Sequence, residues 1–144
     1  MNMVYATLMF SCAYLAERQT VGIAFGIGDG GGTTYPFHPN SLVYGTLFVV
    51  VWLGIIVLSI AAVCAWVKLP AFTIVGIVGL AAVLPWALLC APQAIMGRTL
   101  WHENPAMATM WLLAPVLELT AVLLSRQRLK VSSTQADLSI LARR

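Results

Sequence analysis

Glu118 is the residue in this sequence best placed to do chemistry, because it lies alone inside a long apolar run. A carboxyl group at membrane depth is costly and usually marks an ion or proton site. In a helix, side chains three, four and seven positions from Glu118 share its face. Those side chains are mainly small or mixed: Trp111, Ala114, Pro115, Ala121, Val122 and Ser125. Glu118 is therefore predicted to point into protein, either as a proton- or cation-binding group or as a protonated, hydrogen-bonded contact between helices.

A second group of chemically capable residues surrounds the two histidines. His38 precedes one apolar run, and Arg98, His102 and Glu103 precede the last one. Histidines with carboxylates can bind zinc, copper or iron. The spacing is not that of a local metal motif, however, because adjacent residues such as His102 and Glu103 point apart on a helix. Water-exposed loop histidines explain the pair more simply, and whether a metal binds is left open.

The same region allows contact with a lipid-soluble cofactor. Arg98 and His102, with Trp101 and Gln93, could line a quinone headgroup near the membrane interface. Trp101 is equally well explained as an interfacial anchor. No cofactor is predicted from a motif, and contact with lipid, quinone or pigment remains an alternative.

Other catalytic and ligand motifs are missing from the sequence. There is no Gly-x-Ser-x-Gly elbow and no His-Glu-x-x-His zinc motif. The glycine-rich stretch at 26–32 lacks the strand and helix that a phosphate-binding loop needs. The cysteines Cys12, Cys64 and Cys90 form no Cys-x-x-Cys pair. A disulfide between Cys12 and Cys90 is an alternative to three small buried thiols, and a non-catalytic protein is favoured over an enzyme.

The elements that must position these residues are long apolar helices. Residues 41–67, 70–96 and 106–125 each approach or exceed the roughly 20 apolar residues that a membrane-spanning helix needs. Residues 1–16 are also apolar but would span only about 24 Å as a helix, so they form either a short fourth span or a helix on the membrane surface. We favour the fourth span. The predicted fold is all-α: a polytopic transmembrane bundle of four spans in one domain, 1–144.

Charge predicts the orientation of this bundle. Five of the eight basic residues lie in the tail 126–144, and Lys68 lies between two spans. Arg18 and Arg98 fall on the other side. Basic residues concentrate on the cytoplasmic side of membrane proteins, so both termini are predicted to face the cytoplasm or its equivalent. The Gly/Pro-rich loop 17–40 is then outside, and the basic tail contacts anionic headgroups.

Small residues indicate where the helices approach one another. Gly76, Gly79 and Ala82 recur at a spacing of three on the third span, and Ala114 and Ala121 flank Glu118 on the fourth. Small residues let the backbones of membrane helices pack closely. These five residues are therefore predicted to be helix-packing positions.

Composition and motifs leave three functional hypotheses. With 60% hydrophobic and 9% charged residues, the chain is a membrane protein and not a nucleic-acid-binding one, despite a pI near 9.0. The first hypothesis is a small accessory subunit of a larger, possibly energy-transducing membrane complex, with other membrane subunits as partners. The second is a homo-oligomeric transporter or channel protomer that uses Glu118, and the third is a membrane enzyme built on the His/Glu cluster. The predicted location is a bacterial plasma membrane or an organelle inner membrane.

Overall fold

The computed structural model describes residues 2–24, 42–69, 72–96 and 105–141. The regular structure in this part of the chain is entirely helical, which confirms the predicted all-α class. The four helices are α1 (Asn2–Ala24), α2 (Leu42–Trp66), α3 (Phe72–Met96) and α4 (Pro105–Leu141).

Three of these helices are long and apolar enough to cross a membrane. The qualifying segments are Gly45–Trp66, Phe72–Pro92 and Pro105–Thr134. Helix α1 does not qualify by composition, since its second half carries Glu17 and Arg18. The chain thus has the helices of a multi-pass membrane protein, as the apolar runs predict.

The helices pack as a four-membered ring. Helix α1 contacts α2 and α4, and α3 contacts the same two neighbours. Helices α1 and α3 also touch across the middle of the bundle, whereas α2 and α4 occupy opposite corners. Three helices therefore meet in two places, α1 with α2 and α3, and α1 with α3 and α4.

Contacts at one end of the bundle show that neighbouring helices run antiparallel. Tyr5, near the start of α1, stacks edge-on against Phe72 at the start of α3 and hydrogen-bonds to Ser125 late in α4. Lys68, just after α2, belongs to the same level. We call this the Lys68 end, and the opposite end, where α1 finishes and α4 begins, the Gln19 end.

A tight turn joins α2 to α3. The Leu69 amide donates to the Cys64 carbonyl at 2.9 Å, and the Lys68 amide donates to the Ala65 carbonyl at 3.2 Å. This pair of bonds closes a Schellman motif, whose central residue adopts a left-handed conformation. Lys68 takes that position with a φ of 62°. The turn holds α2 and α3 as an antiparallel hairpin.

Two glycines on α3 allow close helix contact. A Cβ atom at Gly79 would lie 2.8 Å from Leu58 Cγ and 3.1 Å from the Leu58 backbone nitrogen. At Gly76, a Cβ would lie 2.6 Å from the Tyr5 hydroxyl oxygen and 3.1 Å from Met9 Sδ. The side-chain-free surface of α3 thus lets α2 approach on one side and α1 on the other.

Two helices are longer than the sequence predicts. Helix α1 continues past the expected segment 1–16 to Ala24, because Gln19 and Thr20 are buried in the bundle and packing extends the helix. Helix α4 runs unbroken from its apolar part through the basic tail to Leu141. No glycine or proline interrupts residues 126–141, so the helix continues through the tail without a break.

Candidate functional site

Glu118 lies on the buried face of α4, and its side chain has no exposed surface. Ala114 and Ala121, one turn to either side, are also fully buried. On the opposite face, Val116 is 59% and Leu119 is 47% exposed. This pattern matches the predicted helical wheel, so the carboxyl group faces the other helices of the bundle.

The carboxyl group of Glu118 has thiols as neighbours on two other helices. Cys12 on α1 and Cys90 on α3 both lie within electrostatic range of it. Both thiols are fully buried, and both are free. The alternative of a disulfide between them is therefore not realised in this structure. Glu118 is enclosed where α1, α3 and α4 meet.

Neither oxygen of Glu118 has a hydrogen-bond partner within the described part of the chain. Buried polar side chains are nearly always paired, and an ionised carboxylate without a partner would be strongly destabilising. The hypothesis of a hydrogen-bonded helix contact needs a partner on a neighbouring helix, and the described residues offer none. A carboxyl group in this place is stable when it carries a proton or is solvated by a bound water or cation.

Three pairs of side chains cross between α1 and α4 at regular intervals. Going along α1, Tyr5, Cys12 and Gln19 are seven residues apart. In the antiparallel direction along α4, Ser125, Glu118 and Trp111 are also seven apart. The Tyr5–Ser125 hydrogen bond and the proximity of Cys12 to Glu118 fix the register. Since seven residues make nearly two turns, the third pair, Gln19 and Trp111, falls at the same level.

The first of these pairs is fully satisfied. The Ser125 hydroxyl donates to the Ala121 carbonyl at 2.8 Å, so its oxygen accepts from the Tyr5 hydroxyl at 2.7 Å. Tyr5 is 1% exposed and Ser125 is fully buried. This bond ties α1 to α4 at the Lys68 end.

Arg128 covers the same end of the bundle. Its guanidinium carbon lies 4.8 Å from the centre of the Tyr5 ring and 5.3 Å from that of Phe72. Its Nη1 also donates to the Asn2 side-chain oxygen at 3.2 Å. A cation over two aromatic faces is favourable. The guanidinium group also gives the Lys68 end a positive charge, which repels any cation that would enter there.

The second predicted cluster lies outside the described residues. That applies to all four of its members, His38, Arg98, His102 and Glu103. The residues that the structure does describe include no group of three or more histidine, cysteine or acidic side chains placed to hold a metal. The metal and quinone hypotheses therefore stay predictions.

The predicted packing residues occupy contact positions. Gly76 and Gly79 face α1 and α2 as described above, and Ala82 is half-buried beside Gly54 of α2. Ala114 lies in a small apolar cluster with Leu15 and Ala87 from the other two helices.

Two polar residues of the α1–α4 interface were not predicted. The sequence predicts Gln19 in the loop 17–40 and predicts for Trp111 only that it shares the face of Glu118. The structure buries both, and Gln19 Oε1 and Nε2 and Trp111 Nε1 have no hydrogen-bond partner in the described ranges. The sequence does contain one signal for these residues: polar side chains recur every seven residues in both the first and the last helix.

Comparison with known proteins gives no relative for this chain: no protein-family model, curated protein or solved structure matches it.

Proposed function

We propose that this chain is a multi-pass membrane protein that moves protons, or a solute coupled to protons, by reversible protonation of Glu118. One observation carries the proposal: a carboxyl group that is fully buried where three helices meet, with neither oxygen paired among the described residues. Ionisable groups held inside a membrane bundle typically belong to ion or proton pathways.

The bundle supports a four-span arrangement with the Lys68 end inside. Helix α1, with 23 residues, is about 35 Å long at 1.5 Å per residue, enough to cross the hydrocarbon core. It packs along helices that are themselves apolar enough to span. Lys68, Arg126, Arg128 and Lys130 belong to the Lys68 end, whereas Arg18 lies in the half nearer the Gln19 end. The positive-inside rule then favours a cytoplasmic position for the Lys68 end, in line with the predicted orientation of both termini.

The proton pathway through Glu118 lies within a single copy of the chain. The second sequence hypothesis placed Glu118 on a pathway shared between copies of the protein. Here Glu118 is closed off by α1, α3 and α4 of the same chain. Among the described residues, Cys12 on α1 and Cys90 on α3 are the titratable groups within electrostatic range of it.

An infrared titration tests the proposal. In liposomes, the protonated carboxyl of Glu118 should give a carbonyl absorption that disappears reversibly as the carboxyl ionises. Glu118→Gln keeps the shape of the protonated side chain and should remove this absorption while the bundle still assembles. Glu118→Ala should also remove it, but the cavity it leaves costs about 2–5 kcal/mol of stability. A Glu118 signal that stays unchanged over the whole pH range in which the protein remains folded would contradict the proposal.

An accessory-subunit function is the second candidate, and the length of α4 favours it. Helix α4 has 37 residues, about 56 Å, whereas α1 to α3 have 23 to 25. Its basic extension leaves the bundle after Arg128, and every described side chain from Leu129 to Thr134 is exposed. Such a helix offers a surface to a partner subunit or to anionic headgroups. Extraction in mild detergent followed by native mass spectrometry should show unlike subunits in fixed ratio if this candidate is correct.

A further inference from the structure

We propose that Gln19 and Trp111 form the entry site for proton-carrying water on the way to Glu118, and that Leu15, Ala87 and Ala114 form an apolar gate between the two sites. This inference depends on the proposed function for the destination of the proton. To that function it adds the end of the bundle from which protons reach Glu118, the water that binds at the entry site, and the apolar barrier between the entry site and Glu118.

The entry site follows from unpaired polar atoms on two facing helices. Gln19 is fully buried and Trp111 is 5% exposed. Their register puts them at one level of the α1–α4 interface, yet neither bonds to the other, nor to another group among the residues described. Buried water typically occupies such places, since it bridges polar groups that do not reach one another directly.

The chemistry of the pair suits water better than a metal ion. An indole N–H can only donate a hydrogen bond, whereas a carboxamide both donates and accepts. Metal cations such as sodium or calcium need several oxygen ligands, and Trp111 supplies none. Water accepts from the indole, exchanges bonds with Gln19 and carries protons. The pair therefore recognises a hydronium-bearing or neutral water chain.

An apolar cluster separates this site from the carboxyl group. Trp111 and Glu118 are about 10 Å apart along α4. Leu15, Ala87 and Ala114 come from the three surrounding helices, form one buried cluster and lie between these levels. Apolar constrictions close water pathways by drying. The partly buried Met110 and Leu117 pack against this cluster. Leu15 is the one large side chain among its three buried members, so a change in its rotamer would widen the constriction.

The other end of the bundle is closed, which makes the access one-sided. Between Glu118 and the Lys68 end, the hydroxyls of Tyr5 and Ser125 are hydrogen-bonded to one another, and Arg128 covers the Tyr5 and Phe72 rings. Within the described residues, the Lys68 end has no pair of unpaired buried polar side chains comparable to Gln19 and Trp111 at the Gln19 end. A proton thus reaches Glu118 from the Gln19 end.

Single substitutions test the proposed path. The measured quantity is the rate at which Glu118 gains or loses its proton after a pH jump, monitored by its carbonyl absorption. Gln19→Leu removes the water contacts and should slow the change about tenfold, the effect expected from losing roughly one hydrogen bond on the path. Thr20→Val is the matched control, because Thr20 is equally buried but its hydroxyl already donates to the Ala16 carbonyl. Leu15→Ala should open the gate and accelerate the change, whereas Ala114→Leu should slow it.

Cysteine labelling tests the entry site without relying on Glu118. In a variant lacking Cys12, Cys64 and Cys90, a cysteine introduced by Gln19→Cys should react with a charged methanethiosulfonate reagent added on the side of the Gln19 end. An unreactive cysteine at position 19, or equal rates for Gln19→Leu and wild type, would overturn the entry site. If Glu118 never changes protonation but the cysteine reacts, the entry site stands and the proposed function fails. If the cysteine-free variant does not fold, the rates of the single variants decide.

Discussion

At the residue scale, the α1–α4 interface contains one polar pair that is hydrogen-bonded and one that is not. Tyr5 and Ser125 form a closed hydrogen bond, with the serine oxygen shared between Tyr5 and its own helix. Seven residues further along each helix, Cys12 faces Glu118, and the carboxyl oxygens remain unpaired among the described residues. The first contact stabilises the bundle, and the second is available for binding.

Removing the Tyr5–Ser125 bond should weaken the bundle measurably. Ser125→Ala and Tyr5→Phe should each lower the free energy of unfolding by about 0.5–1.5 kcal/mol, the usual net value of a hydrogen bond. The double variant should cost less than the sum of the two, because both changes remove one interaction. Denaturation in mixed detergent micelles measures these differences.

Thr120→Ala provides the control for this cycle. The Thr120 hydroxyl is exposed and donates only to the Val116 carbonyl of its own helix. Its removal should therefore change stability little. Strict additivity of the Ser125→Ala and Tyr5→Phe effects would show that the two hydroxyls do not depend on one another.

At the scale of elements, the apolar runs predict most of the fold. Glu118 and its face are predictable because an acidic residue in an apolar helix stands out and the helical period fixes its neighbours. The end of α1 is not predictable in this way, since Glu17 and Arg18 read as the start of a loop. Packing of the buried Gln19 overrides that local signal. Hydropathy alone therefore does not predict that Gln19, a residue of the proposed entry site, lies inside the bundle.

The contact between α2 and α3 should be sensitive to one methyl group. Gly79→Ala places a Cβ 2.8 Å from Leu58 Cγ and 3.1 Å from a backbone nitrogen that cannot move independently of its helix. The helices must separate, so we expect a loss of about 1–3 kcal/mol in unfolding free energy. Detergent denaturation again provides the measurement.

Gly45→Ala is the matched change on the partner helix. Among the described residues, no atom outside the adjoining part of α2 lies within 4 Å of a Cβ at Gly45, and alanine favours helix over glycine. This variant should be as stable as wild type or slightly more so. A loss at Gly45 as large as that at Gly79 would contradict the explanation by close contact between α2 and α3, because helix propensity favours alanine at both positions.

At the scale of the whole molecule, the antiparallel ring links the position of α1 to that of the other helices. Tyr5 and Gln19 lie along opposite halves of α1 and are both buried, Tyr5 against α3 and α4. If α2, α3 and α4 cross the bilayer, α1 cannot lie flat on its surface and keep these contacts. The bundle geometry is therefore an argument for the proposed fourth span, which follows if the other three helices cross the bilayer.

Topology mapping tests that consequence. Reporters fused to the two termini should both be found on the side where a Lys68→Cys variant reacts with an impermeant thiol reagent, because all three sites belong to the basic end. Arg18→Cys should react from the opposite side, since Arg18 is 48% exposed by side chain and lies toward the Gln19 end. Ser59→Cys, in the middle of α2, serves as the unreactive control. An N-terminal reporter on the Arg18 side would place α1 outside the membrane, and α1 would then have to leave the contacts that enclose Glu118.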